Sequence, residues 1–180
     1  MILQNLESLQ YPIGRFTKGK TYTANQIKVN CENFSAFPKK LNDLVCDWND
    51  KILSVKYREG GWNGRQVIHH LADSHANCFV RFKTALIDEG AKIKPYAEDK
   101  WAELIDYKMS IAPSLLIIEG VHARLTELFK SLNDEDWAKT IYHPESKHVF
   151  TVAELQALYT WHGNHHYAHL KLIEQNSKNL

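Results

Sequence analysis

Thr151-Val152-Ala153-Glu154-Leu155-Gln156-Ala157-Leu158-Tyr159-Thr160-Trp161-His162-Gly163-Asn164-His165-His166-Tyr167-Ala168-His169 is the stretch on which the reading of this chain turns. It opens with a threonine followed three residues later by a glutamate, the spacing of a capping box, in which the two side chains satisfy amide groups left free by the first helical turn. From there Leu155, Leu158, Tyr159, His162, His166, Leu170 and Ile173 recur at helical spacing, so a long helix is expected. Four of the chain's ten histidines, His162, His165, His166 and His169, crowd into this helix. Helical residues four apart lie about 40° from each other around the axis and about 6 Å along it. His162 and His166 therefore project from one face and can grip one divalent ion between them, as the paired histidines of an HExxH helix do. His169 falls on roughly the same stripe, and His165 lies to its side.

Outward from this segment, three more helices are legible. Ile27, Cys31, Phe34, Leu41, Leu44, Val45 and Trp48 mark one that starts after Tyr22, with a kink or restart expected at Pro38. Arg58 to Gly64 reads as a turn, and Asn63 is a plausible cap for a helix over about Arg65 to Asp88 that Gly90 would end. Leu115, Ile118, Val121, Leu125, Leu128 and Phe129 mark another from Ser114 to Leu132. A short helix around Trp101 to Tyr107 and a small hairpin pairing Ile141-Tyr142 with Val149-Phe150 fill the connections. Residues 1–22, with Pro12, Gly14 and Gly19, read as an extended arm. The expected fold is all-α, an antiparallel four-helix bundle with an extended N-terminal arm: one domain over 1–180, with the arm at 1–22 and the bundle at 23–176.

Composition excludes several classes. The 180 residues are 44% hydrophobic and 24% charged, ordinary for a soluble globular chain. With 22 basic against 21 acidic residues the net charge is +1, so the basic excess of a dedicated nucleic-acid binder is missing. No run of 18 apolar residues is present to span a membrane. Residues 1–10 lack the basic and apolar blocks of a signal peptide, and a cytoplasmic setting is expected. Cys31, Cys46 and Cys78 are odd in number and widely spaced, as free thiols are.

A tight metal site needs a third ligand. The helix over 65–88 offers His69-His70 and His75, and in a bundle a facing helix can aim such a side chain at the His162/His166 pair. Only one of two neighbours can face inward; the flanking Leu71, Ala72 and Val67 lean toward His70. The competing reading is a helix of solvated histidines titrating near neutral pH. Three neutral ligands leave positions open for water, which is a catalytic rather than a structural arrangement.

Gly61-Trp62-Asn63-Gly64-Arg65-Gln66-Val67-Ile68-His69-His70-Leu71-Ala72-Asp73-Ser74-His75 resembles the DinB superfamily, especially its YfiT-like branch of metal-dependent hydrolases, which includes bacillithiol S-transferases. Trp161 to His169 resembles that branch's last-helix motif; Tyr11-Pro12-Ile13-Gly14, Lys94-Pro95-Tyr96 and Tyr142-His143-Pro144 resemble its arm and loops. The likeness covers nearly the whole chain in order. It implies a four-helix bundle, a homodimer, and a divalent metal, zinc first and nickel second, held by His70, His162 and His166 with open water positions. One departure is Asn63-Gly64, where the family more often has a hydroxyl residue and then a larger one.

Asp73, one turn after His70, is a candidate base, and His69 and His165 are candidates to stand behind the ligands. If a thiol cofactor binds, a basic residue must meet its carboxylates, and Arg81 is a candidate. Trp62, Trp101, Trp137 and Trp161 read as core or pocket wall, and Cys78 has no evident base to make it a nucleophile. The expected function is a metal-dependent hydrolase acting on a small molecule. The alternatives are a low-molecular-weight thiol S-transferase and a non-catalytic metal-binding stress-response module. Gly163 stands where an HExxH helix carries its glutamate, which weakens a peptidase reading.

Overall fold

The structure is a computed structural model that describes residues 6–178. Of the expected arm, residues 1–5 lie outside the described residues. The elements run α1 (Leu6–Gln10), α2 (Ala24–Val45), α3 (Asp50–Leu53), α4 (Gly64–Ile87), α5 (Glu98–Trp101), a 3₁₀ turn at Ile105–Lys108, α6 (Ala112–Lys130), α7 (Asp134–Ala138), β1 (Thr140–His143), β2 (His148–Thr151) and α8 (Val152–Ser177). The expected hairpin forms, with Ile141 opposite Phe150 and Tyr142 opposite Val149.

Local chemistry sets the helix starts. Thr23 and Gln26 cap α2 reciprocally, and Asn63 and Gln66 do the same for α4. Pro38 sits within α2 without ending it, so the expected restart does not occur. Gly64, where the sequence departs from the family pattern, opens α4 at a tight spot: an added Cβ would meet the Trp48 ring at 3.2 Å and the Leu53 backbone at 3.4 Å. At α8 only half of the capping box forms. Thr151 accepts from the Glu154 amide, while the buried Glu154 carboxylate turns to the Gly19 amide at 2.5 Å and to His148 Nε2 at 3.0 Å. The arm is fastened there. It runs back along α8, with Gly19 at Glu154, Phe16 on Trp161, Tyr11 by His165 and Gln10 at His169.

The four long helices form the bundle, and α2 and α4 each pack against both α6 and α8. Side-chain pairs fix their directions. Phe82 meets Tyr159, His75 meets His162 and His70 meets His166, so α4 and α8 are antiparallel. Ile27 and Cys31 lie with Phe129 and Lys130, and Asn42 with Leu115, so α2 and α6 are antiparallel as well. The other neighbours are parallel. Asn30, Phe37 and Lys40 of α2 pair in rising order with Thr160, Gly163 and Asn164 of α8. His69, His75 and Phe82 of α4 pair likewise with Ser114, His122 and Phe129 of α6. The expected antiparallel packing thus holds for two of the four contacts, and the connections over 46–63, 88–111 and 131–151 are long enough to allow the rest.

The apolar core comes in two clusters. One gathers Phe34, Phe82, Leu125, Phe129, Phe150 and Leu155; the other gathers Phe37, Leu41, Leu71, Ile118, Leu170 and Ile173. Between them the helices place histidines at one level: His75 on α4, His122 on α6 and His162 on α8, with Phe34 and Phe37 of α2 stacked on the first two.

Candidate metal centre

His70, His162 and His166 converge. Each offers one ring nitrogen, and these atoms all lie within 4.8 Å of one another. His70 Nε2 and His162 Nε2 are 3.2 Å apart. Two nitrogens bound tetrahedrally to zinc at about 2.0–2.1 Å stand roughly 3.3 Å apart, so the pair has the spacing of a shared ion. The choice that the sequence left open is settled by helix geometry. His70 faces α8, whereas His69, about 100° around α4, faces α6. There His69 Nδ1 meets Ser114 Oγ at 2.7 Å and Nε2 donates to the Met109 carbonyl at 3.3 Å. His69 does not stand behind the ligands as expected.

Burial controls the charge of the three imidazoles. It pushes His70 down to about 4, with His165 adding to the effect, and holds His162 and His166 well below the ordinary histidine value, with neighbouring histidines adding to it. All three are neutral at pH 7, the form in which imidazole binds a metal. The Nδ1 atoms of His70 and His162 are buried and without a hydrogen-bond partner. A buried polar atom left so is costly; an ion between the two Nε2 atoms leaves both Nδ1 atoms as they are, so the fit to an ion rests on the Nε2 spacing and the neutral rings.

Two buried histidine chains stand behind the site. His166 Nδ1 is 3.4 Å from His169 Nδ1, and His169 Nε2 donates to the Gln10 carbonyl at 3.2 Å. His122 Nδ1 donates to the Phe34 carbonyl at 2.7 Å, and its Nε2 lies 2.8 Å from His75 Nδ1. His165 is buried beside the ligands, stacked on Trp161 with ring centroids 4.6 Å apart. A cavity of about 350 Å³ opens over the ligands, walled by Tyr11, Tyr57, Trp62 and Trp161, with Glu98 and Asp99 at its edge. Burial, then Asp99 and Glu145, raises the Glu98 carboxyl.

Other expected site residues are placed differently. Asp73 turns to Tyr107, whose hydroxyl donates to it at 2.6 Å, and it does not line the cavity over the ligands. Arg81 is half-buried: it donates to the Tyr159 hydroxyl at 2.7 Å and lines a second cavity of about 440 Å³ that shares His162. Cys78 is fully buried, and burial pushes its thiol well up, which disfavours a thiolate. Trp62 and Trp161 are pocket wall, while Trp137 packs on Phe129.

Gly163 has a packing reason. An added Cβ would meet the Phe37 ring at 3.2–3.3 Å, on the α2 side of the helix. Gly163→Leu is expected to cost about 1–3 kcal/mol through overpacking. For Gly163→Ala the gain in helix propensity of about 1 kcal/mol offsets a small ring shift. Urea midpoints of the metal-free variants check this, and an unchanged midpoint for the leucine variant would show that the contact is soft.

His122 is the residue that sequence reading missed. Its signal was position: it lies four residues after Ile118 and three before Leu125, on the apolar stripe of α6. Glu98 was hidden because nothing local ties the first carboxylate of the short helix α5 to α4 and α8.

The sequence profile of the DinB superfamily matches residues 33–170. A protein of Bacillus cereus (strain 03BB102), named "Putative metal-dependent hydrolase", is 42% identical over 170 residues, which are 94% of this chain and 98% of that protein. A Bacillus thuringiensis subsp. konkukian (strain 97-27) protein with the same descriptive name matches to the same extent. Among solved structures, YfiT from Bacillus subtilis superposes with a TM-score of 0.90 at 37% identity, covering 94% of this chain and 97% of that one. YfiT is described as "a probable metal-dependent hydrolase with an unusual four-helix bundle topology".

Proposed function

The chain belongs to the DinB superfamily, and on that footing we propose that it is a hydrolase of small molecules that works with one divalent ion, zinc before nickel, on His70, His162 and His166. The observation that carries the reading is the convergence of these three neutral imidazoles, His70 and His166 buried and His162 half-buried, under a cavity of about 350 Å³. Its relatives' names point the same way. The cytoplasmic setting expected from the sequence and the homodimer that the resemblance implies belong to the same proposal.

When bound, a divalent ion on three neutral ligands supplies Lewis acidity at an open position, lowering the pKa of a water and polarising a carbonyl. The chain's own residues do the rest. Burial keeps the ligand lone pairs free of protons at neutral pH. Trp62 and Trp161 give the cavity aromatic walls against which a small organic group can lie. Glu98, with its raised carboxyl at the cavity edge, is the group placed to exchange a proton with a substrate.

A second reading, thiol S-transfer, draws support from two observations. Asp73 is tied to Tyr107, and the glutamate position of an HExxH helix is a glycine packed on Phe37. A thiol that loses its proton to metal coordination needs no separate carboxylate base. Product analysis separates the two. Zinc-loaded protein is incubated with a panel of esters, amides and alkylating electrophiles, with and without bacillithiol. Cleavage without thiol, abolished in His162→Ala, is the expected result. Conjugation only with thiol would replace hydrolysis by transfer, and neither product would overturn both.

A further inference from the structure

We propose that His169 is a positioning residue: with the Gln10 carbonyl of the N-terminal arm it fixes the tautomer of His166 so that Nε2 carries the free lone pair toward the metal centre. Hydrogen-bond polarity sets the order of donors and acceptors. A backbone carbonyl only accepts, so His169 Nε2, 3.2 Å from Gln10 O, carries the proton. A neutral His169 then has a bare Nδ1. That atom lies 3.4 Å from His166 Nδ1, which must be the donor of the pair. His166 with its proton on Nδ1 has a bare Nε2 for the ion.

Packing holds the chain of bonds in place. Tyr57 stacks on His169 with ring centroids 4.0 Å apart and planes 18° from parallel, so the ring cannot turn freely. His169 is buried, with 2% of its surface exposed. Around Gln10 the arm is a helical turn, with Tyr11 N–H donating to the Glu7 carbonyl, and beyond it Tyr11 packs by the His165 ring and Gly19 is held by Glu154. Metal-binding histidines commonly give their second N–H to a carbonyl or carboxylate, which sets ring orientation and ligand basicity. In this chain the carbonyl reaches the ligand through a second imidazole, and the segment that carries it comes from the far end of the sequence.

The inference rests on His166 being a ligand, yet its core can be read in metal-free protein. Long-range ¹H–¹⁵N spectra of the histidine rings report which nitrogen bears the proton. The expected result is an Nδ1–H tautomer at His166 and an Nε2–H tautomer at His169. An Nε2–H tautomer at His166 would overturn the proposal, whatever the metal data show. The variants follow. His169→Phe, which keeps the stack on Tyr57 but not the bonds, is expected to weaken zinc binding about 10- to 100-fold and to raise the Nε2–H share at His166. His169→Gln, which keeps a donor and an acceptor, is expected to recover most of the affinity. Wild-type affinity in folded His169→Phe would count against the role. If that variant fails to fold, the wild-type tautomer decides alone. A failure of the proposed function is distinguishable: wild-type protein would bind no zinc while still showing the Nδ1–H form.

Discussion

Zinc at about a thousand times its dissociation constant is expected to raise the melting temperature of the wild-type chain by roughly 10 °C. Binding to the folded state alone contributes about 4 kcal/mol at that excess, and a chain of this size shifts by about 2–4 °C per kcal/mol. His162→Ala and His166→Ala should lose about two thirds of the shift or more at the same zinc concentration. Four-ligand zinc sites provide about 10–16 kcal/mol, so one ligand corresponds to a loss of affinity on the order of a hundredfold or more. Without metal the difference should nearly vanish. His162 Nδ1 is buried without a hydrogen-bond partner, and removing a group of that kind relieves a desolvation cost. The metal-free alanine variant should therefore melt within a few degrees of metal-free wild type. Calorimetry of the three proteins with chelator and with zinc checks both halves. Equal zinc shifts in all three would remove these residues from the site.

Mild acid should unfold the metal-free protein. An unfolded histidine takes up its proton near pH 6.5, whereas burial keeps folded His122 neutral down to about 4. His122 therefore contributes its full stability above pH 6.5, loses it progressively as pH falls toward 4, and accounts for about 3 kcal/mol across that window. The same direction holds for His70, His165 and His169, each pushed down to about 4, and for His75, His162 and His166, held well below the ordinary histidine value. A handful of such groups exceeds the stability of about 5–15 kcal/mol that a domain has to lose. Loss of helix by circular dichroism is expected between pH 6.5 and 4, taking up several protons in one steep transition. Zinc should move the midpoint to lower pH, because ligands on a metal resist protonation. A metal-free chain that keeps its full helix signal at pH 4 would contradict the role assigned to burial.

The parts of this molecule that were legible in sequence are those set by local chemistry. The cap at Thr151 and the spacing of Leu155, Tyr159 and His162 place α8; Asn63 and Gln66 place the start of α4. His162 and His166 share a face because of helix pitch alone. What sequence did not carry is what depends on how helices meet. The preference for His70 over His69 is fixed by α4 lying between α6 and α8, so that adjacent residues face different partners. Asp73 has the right spacing from His70 along the helix, but Tyr107 from a distant turn captures its carboxylate. The parallel pairing of α2 with α8 follows from the long connections, whose paths no periodicity reports. Gln10 and His169 lie 159 positions apart, and nothing local at either one announces the other.

The histidine level between the two apolar clusters has a consequence for the life of the chain in a cell. Volume that another bundle would fill with leucine is occupied by rings whose contribution depends on their remaining uncharged, and one of them, His162, is on the proposed function also a ligand that waits for an ion. A newly made copy in a metal-poor cell therefore holds less of its stability than a loaded one. Differences of about 1–2 kcal/mol are enough to change the share that proteases remove. On the proposed function, supply of the ion would govern how much of the protein persists as well as how much of it is active, so that scarcity would clear the idle copies by turnover.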